Sequence, residues 1–556
     1  MVYNILDHKR VRILMKTVLA ALLLQLLLLG TSCKDRLDAS SRSAAGPEIG
    51  VVEQENIISV DTGAGLVYTI HRANGDMLSC RLHGRELSSR EKHSQIEMGL
   101  GKARVEYRLV DGGRTVIVSA ETDTLTHYYI SRAGENIIYM ATYITAEPTI
   151  GELRFIFRGN GKILTQVPAA SNNAGSVRKV EHKEMNGAAD GTTTSKYYEN
   201  DQAKNLTIRG DTGDGVGVFM AYGNREKSSG GPFFRDIQFQ SGGSSEIYNY
   251  MNSGHAQTEG FRMGLHGPYA LVFTDGTEAA VPDFSWMADL GLKGWISERG
   301  QVTIHGMTGM DSGYAYTVGF ANAGAQYWTA AAPGGFAECK NMIPGLYTMT
   351  IYKGELAVYT QKVNVSAQQN IVVECCDISD DPGHAAALWR IGDWDGTPLE
   401  FLNGRNLCQM HPSDSRNESF DIGSFDAASP SGYFPALQLR RVNSPLTIRF
   451  WLTEVQAASS HCLRIGITAA YNGGRPRAEI NGRVLALPEP SSQPKSRSLT
   501  IGTYRGNNHV FAWQIPAAAF KTGQNVLAIT PISGMQDLTP WLSAGWAYDC
   551  IDLGIN

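Results

Sequence analysis

From residue 49 to about residue 275, apolar positions recur at every second place in short runs such as "GLVYTIHRANGDMLSCRL" and "NIIYMATYITAE". Gly, Asn or Asp interrupts each run. A period of two, bounded by turn formers, predicts half-buried strands joined by hairpins. No long amphipathic helix stands out beyond the first thirty residues, and 60 glycines supply many turns. The pattern therefore predicts an all-β protein with a large N-terminal β-sandwich over residues 49–297.

The pattern changes at "VPDFSWMADLGLKGW" (281–295), which predicts a short helix leading into a smaller segment. There "GYAYTVGFAN" and "GLYTMTIYKGELAVYTQKVNV" alternate cleanly, with Lys353-Gly354-Glu355 as a hairpin turn. About 80 residues of such strands, 298–376, fit a fibronectin type III-like domain. The acidic, proline-bearing "CCDISDDPGH" (375–384) marks a second boundary. Residues 385–556 carry strands such as "PLTIRFWL" and "HVFAWQIP" and six of the nine tryptophans. They predict a jelly-roll resembling a carbohydrate-binding module, because aromatic faces stack on sugar rings, although tryptophans serve equally as core.

The N-terminus reads differently. Lys9, Arg10, Arg12 and Lys16 precede an apolar run, Val18 to Leu29, too short to span a bilayer comfortably. This is the pattern of a signal peptide, 1–33. Its end, Leu29-Gly30-Thr31-Ser32-Cys33, resembles a bacterial lipobox with Cys33 as the lipidated residue. The alternative is ordinary cleavage near Ser32 with Cys33 unmodified. Residues 34–48 are small and polar, as in a flexible tether. The expectation is export, as a bacterial outer-membrane or cell-surface lipoprotein or otherwise a periplasmic or secreted protein; oligomeric state is not encoded in any recognisable pattern.

Charge narrows the partners. Forty-nine basic residues against 54 acidic ones, with no like-charge block, exclude a protein built mainly for nucleic acid. Beyond Cys33 the cysteines are Cys80, Cys339, Cys375, Cys376, Cys408, Cys462 and Cys550, with no CxxC pair and no zinc-like spacing. Export permits disulfides; buried free thiols fit equally.

Candidate chemistry lies in the first 275 residues. In "GELRFIFRGN" alternation sends Leu153, Phe155 and Phe157 one way and Arg154, Ile156 and Arg158 the other. The two guanidinium groups then share a face, roughly 13 Å apart at Cα by strand rise, turned toward solvent or a cleft. In "YNYMNSGHAQTEGFRMGLHGPYALVF" (248–273), Tyr248 and Tyr250 share one face, with Asn249 and Met251 on the other, and Gly254 turns the chain to present His255. Glu259 and Arg262 suit a local ion pair, and His266, among small residues, suits packing. Lys196 stands in "TTTSKYYEN" among hydroxyl and aromatic neighbours. Taken singly, these residues also suit an ordinary polar surface. Carboxylates in "DTGDG" (211–215) and "DWDG" (393–396) leave room for a structural calcium, but neither continues as an EF-hand, and tight Asp-Gly turns explain both.

Together "GELRFIFR", "TTTSKYYEN", the 248–273 block and "RIGDWDGTPLEFLN" closely resemble the rhamnogalacturonan endolyases of polysaccharide lyase family 4, over nearly the whole chain after the leader. The resemblance implies a catalytic β-sandwich, a fibronectin-like domain and a carbohydrate-binding-like jelly-roll. It implies β-elimination on the rhamnogalacturonan I backbone of pectin, leaving an unsaturated galacturonate end, with no cofactor or metal required for the chemical step. By the same resemblance Lys196 and His255 are catalytic, Lys196 as base and His255 as proton donor or helper. Arg154, Arg158, Tyr248 and Tyr250 bind substrate. The arginines would neutralise the uronate carboxylate. A competing function is a non-catalytic pectin-binding surface lipoprotein, though a binding module needs no base; a glycoside hydrolase would need two flanking carboxylic acids, and only Glu259 lies near His255.

Overall fold

The computed structural model describes residues 48–147, 152–166, 176–181, 185–195, 201–241, 244–253, 259–407, 410–416, 424–489, 508–533 and 540–555. Within them the alternating runs are strands, and the chain is all-β. Leu66–His71 shows why: its positions are buried and half-buried in strict turn, with Leu66, Tyr68 and Ile70 inward.

In the first domain a meander of five strands over Gly50–Glu86 and a four-stranded sheet face a seven-stranded sheet. The four-stranded sheet runs Phe239–Ser241, Ser244–Asn252, Leu153–Asn160, Gln95–Ile96. One core joins all three, with Tyr68 and Ile70 from the first, Phe155, Phe157, Ile247 and Met251 from the second, and Val118, Tyr129, Met140 and Leu271 from the seven-stranded sheet.

The short helix expected at 281–295 forms, as a 3-10 helix over Ser285–Leu290, but it does more than lead onward. The seven-stranded sheet is apolar on both faces. Its second face presents Ile117, Ile130, Ala141 and Val272, and Phe284, Met287, Leu290, Leu292 and Trp295 pack across them as a third layer. A sheet with two apolar faces needs a cover on each.

The middle domain pairs a four-stranded sheet (Tyr316–Ala321, Gln326–Ala330, Gly345–Lys353, Leu356–Val365) with a three-stranded one (Gly300–Ile304, Ala337–Met342, Asn370–Val373). Gly354 and Glu355 form the expected two-residue hairpin tip. Gly354 sits at φ 57°, and a Cβ there would stand 2.5 Å from the Asp395 carbonyl oxygen, so the tip can enter its crevice only with glycine.

The last domain is a sandwich of two five-stranded sheets in the manner of a jelly roll, centred on Gly545–Ile555 and on Gly523–Ile532. Of its tryptophans, Trp394, Trp513 and Trp546 are buried, whereas Trp451 is 74% exposed. Trp394 packs in the core of the middle domain with Tyr316, Val318 and Ile351, so the two share a hydrophobic seam. Lys353 and Asp381, both almost fully buried, close the same seam with a 2.5 Å ion pair. Cys80, Cys339, Cys375, Cys376, Cys462 and Cys550 are free thiols, and most are buried. Cys33 and Cys408 lie outside the described residues.

Candidate active site

The strand Leu153–Asn160 pairs antiparallel with Ser244–Asn252, and the register sets Arg154 opposite Tyr250, Ile156 opposite Tyr248 and Arg158 opposite Glu246. The odd-numbered residues of the first strand go to the core, so these six share the other face. The alternation argument thus places both arginines and both tyrosines on one face of the sheet, and the pairing assembles it from segments about a hundred residues apart. That face is not open at the tyrosines: Tyr248 and Tyr250 are only 5% and 3% exposed, because Ile156, Met185 and Ile237 pack with them in a small core cluster.

On that surface Arg154 Nη1 donates to the Tyr250 hydroxyl at 2.6 Å, and its guanidinium lies 5.5 Å from the Tyr250 ring centroid. The Tyr248 and Tyr250 rings stack at 5.7 Å and 17°. Arg158 donates through Nε to Glu246 Oε1 at 3.2 Å and through Nη1 to the His93 carbonyl at 2.8 Å. The Tyr248 hydroxyl meets Gln240 and Glu246. From below, Arg225 donates to the Tyr250 carbonyl at 2.9 Å, and the Tyr222 hydroxyl donates to that of Tyr248 at 3.0 Å. Tyr222, Arg225, Tyr248 and Tyr250 line a small depression with Asp201, Asp236 and Gln238; Arg154 and Arg158 do not take part in it.

The arginines differ from expectation in one respect. Their side chains are only 13% and 14% exposed, and each already has a carboxylate beside it, Glu152 at 2.8 Å from Arg154 and Glu246 at 3.2 Å from Arg158. Burying a guanidinium without a partner is costly, and the neighbouring acids offset that cost. Glu246 was legible, because it lies two residues before Tyr248 and so on the same face. Glu97 was not. It follows the edge strand Gln95–Ile96, its Oε1 accepts the Arg154 amide at 3.0 Å, and burial pushes its carboxyl up to about 8. Its Oε2 and Arg154 Nε are buried with no hydrogen-bond partner among the described residues, polar atoms of the kind a ligand satisfies.

Electrostatics also limit roles. Burial, reinforced by Glu246 at Tyr248 and by Asp236 at Tyr250, holds both phenols well above their usual range. At neutral pH they are uncharged. Burial pulls Arg154 down, but Tyr250 and Glu152 outweigh it, so this guanidinium stays charged. His266 is buried, with Nε2 2.9 Å from the Arg262 carbonyl, and burial lowers it to about 3. It is a neutral packing residue. Glu259 and Arg262 form the expected pair at 2.7 Å, and Arg262 also donates to the carbonyls of Ser228 and Asn322, tying the first domain to the second.

Lys196 and His255 lie outside the described residues, as do 196–200 and 254–258 around them. The chain is described up to Ser195 and again from Asp201, and Asp201 lines the tyrosine depression.

Among the described residues no three His, Cys, Asp or Glu side chains converge as a metal site. Of "DTGDG", Asp214 and Gly215 form the hairpin turn between Ile208–Gly213 and Val216–Ala221, while Asp211 is buried against the Ser245 hydroxyl. In "DWDG", Asp395 accepts from Thr397.

The chain was compared with known proteins. Residues 49–294 match the family model "Rhamnogalacturonan lyase B, N-terminal", 298–373 match "Polysaccharide lyase family 4, domain II", and 387–553 match "Polysaccharide lyase family 4, domain III". The chain is 39% identical over 499 residues to a probable rhamnogalacturonate lyase A of Aspergillus terreus, covering 88% of this chain and 92% of that one. It is 37% identical over 534 residues to rhamnogalacturonate lyase A of Aspergillus aculeatus, covering 93% and 98%. The corresponding enzyme of Emericella nidulans is 37% identical over 518 residues, covering 92% and 96%. With all three of the family's domains matched in order and relatives aligned almost end to end, the chain belongs to polysaccharide lyase family 4, among the rhamnogalacturonate lyases.

Proposed function

We infer that the protein is a rhamnogalacturonan lyase that cleaves the bond to galacturonate in rhamnogalacturonan I by β-elimination. Membership of the family supports the activity. The observation that carries the reading at the level of residues is the Arg154, Tyr250, Tyr248, Arg158 face. It brings two guanidinium groups to one face, backs them with the buried, stacked tyrosine rings, and leaves a buried Arg154 N–H without a partner among the described residues.

Elimination removes the proton at C5 of galacturonate, α to a carboxylate. Loss of that proton would place a second negative charge on the same group. Arg154 and Arg158 are proposed to bind the carboxylate and stabilise the growing charge. Tyr248 and Tyr250, buried as neutral phenols, are proposed to support the binding face from beneath, Tyr250 by fixing Arg154, without competing as bases. Lys196 is proposed as the base, a role open to a lysine only when neighbouring cations or burial hold it neutral. His255 is proposed to protonate the departing glycosidic oxygen or to assist the base. In this scheme the arginines do the carboxylate-neutralising work, and no cofactor or metal is called on in the chemical step.

The test is turnover of rhamnogalacturonan I followed by the ultraviolet absorbance of the conjugated uronate product. Wild type is expected to generate it and Lys196→Ala to lose nearly all of it while keeping its thermal midpoint. Near-normal turnover in that variant would remove Lys196 as base. Binding of the polymer by wild type without cleavage would support the pectin-binding alternative instead. Export through the 1–33 leader, with lipid attachment at Cys33, is a separate proposal resting on the sequence motif, and both lie outside the described residues. Wild-type protein is expected to incorporate labelled palmitate and a Cys33→Ser variant is not; unlabelled wild type would exclude the anchor, and a labelled variant would exclude Cys33 as its site.

A further inference from the structure

The candidate base follows Ser195 directly in sequence, and the described chain resumes at Asp201. On each side of that stretch the chain is held by a different accessory domain.

On the N-terminal side, Thr193–Ser195 is the last strand of a small sheet with Arg178–Glu181 and Met185–Gly187. Thr193 and Ser195 are fully buried. What buries Thr193 is the His411–Arg416 loop of the third domain. Asp414 Oδ2 accepts the Thr193 amide at 2.6 Å and the Thr193 hydroxyl at 2.8 Å. That hydroxyl in turn accepts the His411 amide at 3.0 Å, and Arg416 donates to the Thr193 carbonyl at 3.2 Å. The Ser415 amide donates to the Gly191 carbonyl at 3.1 Å. Every polar atom of Thr193 is thus engaged by one loop from more than two hundred residues away.

The loop is itself braced. Arg416 grips Asp414 through Nε and Nη2 at 2.9 Å each, and His411 Nε2 stands 3.0 Å from Glu181 of the same small sheet. On the C-terminal side, Gln202 Nε2 donates at 2.5 Å to Oε1 of Glu355, the tip of the middle domain's hairpin. Glu355 is buried. Its amide donates to the Asp395 carbonyl at 2.7 Å, and its own carbonyl accepts from Asn508, both in the third domain.

A fixed surface contact would suffice to dock domains. Here instead the contacts converge on Thr193 and Gln202, one on each side of Lys196 in sequence, through buried hydrogen bonds, those to Asp414 charge-assisted, that specify direction as well as proximity.

We propose that Asp414 and Glu355 are positioning residues for the lyase reaction, holding Thr193 and Gln202, which flank the base in sequence. The carbohydrate-binding-like domain thereby completes the active site through protein contacts. This rests on the assignment of Lys196 as base.

The test uses the full-length protein and the variants Asp414→Ala, Asp414→Asn, Gln202→Ala and the double variant Asp414→Ala with Gln202→Ala. A displaced catalytic group lowers the chemical step, so Asp414→Ala is expected to lower kcat about a hundredfold with KM within about twofold. Asp414→Asn keeps an acceptor for Thr193 and is expected to recover part of that loss. The double variant is expected to fall short of the product of the single losses, because both ends hold one segment. Thermal midpoints are read for each. If Asp414→Ala does not fold, Gln202→Ala, a smaller change, carries the same kcat-against-KM reading. Unchanged kcat in folded Asp414→Ala and Gln202→Ala overturns the proposal, as does a raised KM at normal kcat, which would make the loop a sugar contact. Lys196→Ala is assayed alongside. If it is inactive while the clamp variants are normal, only this inference fails; if it is active, the base assignment fails first.

Discussion

Arg154 and Tyr250 occupy directly opposed positions on neighbouring antiparallel strands, and the guanidinium donates to the phenol oxygen at 2.6 Å. The guanidinium proposed to meet a substrate carboxylate is therefore aimed by a buried phenol. Arg154→Lys keeps the charge but loses the planar fork, and is expected to lower kcat/KM about a hundredfold or more. Tyr250→Phe keeps the ring and is expected to cost less. The unsaturated product's absorbance, followed at several substrate concentrations, measures both.

His255 has no described geometry, so its prediction follows from chemistry alone. His255→Ala is expected to reduce turnover by about two to four orders of magnitude, the range typical of a lost acid or base. A fall of less than tenfold in initial rate would return it to the surface.

Arg262 is almost wholly buried and joins Glu259 to the carbonyls of Ser228 and Asn322. Arg262→Met strands those acceptors at the junction of the first two domains. A loss on the order of 3 kcal/mol is expected in denaturant titration, against little change for the conservative exposed substitution Lys102→Arg.

Stability should peak in mild acid. Burial raises Glu97, Asp211 and Glu400 to about 8 and Glu355 to about 7. The folded protein then holds protons that the unfolded chain releases from about pH 4 upward, so these groups lower stability progressively between about pH 4 and 8, and the loss levels off once they ionise in the fold too. Burial lowers His127 and His266 to about 3 and His411 to about 4, so their contribution is full above about 6.5 and is lost as pH falls toward 3. Between roughly 4.5 and 6.5 the two trends oppose each other, so thermal midpoints against pH should change little there and decline on both sides. Glu97→Gln should make the alkaline decline shallower; an unchanged slope would deny that Glu97 is neutral in the fold.

Period-two alternation was enough to separate Arg154 and Arg158 from Phe155 and Phe157, and Tyr248 and Tyr250 from Ile247 and Met251, because successive side chains of a strand point to opposite faces. It did not show that the tyrosine face is itself buried. Alternation says nothing about which strands pair. That Arg154 would stand opposite Tyr250 depends on the topology of the whole sandwich, and only the family resemblance brought the two segments together beforehand. The second apolar face of the seven-stranded sheet was hidden for a similar reason: a strand buried on both sides, such as Leu125–Arg132, loses the alternation that marks a face. Least legible were Asp414, His411 and Glu355. Each sits in a loop or turn of ordinary composition, and its meaning lies in a partner hundreds of residues away.

Trp394 draws a last consequence from the seam between the second and third domains. The acidic loop 375–384 looks like a place where a gene could be cut and joined, since turn and proline fall there and few apolar residues do. A recombination at that point would carry Trp394 away from Tyr316, Val318 and Ile351, and give those residues whatever the newcomer brought. The break in the covalent chain is not the break in the core. Inheritance of the third domain should therefore be tied to one face of the second, with exchanges surviving only where both are replaced together.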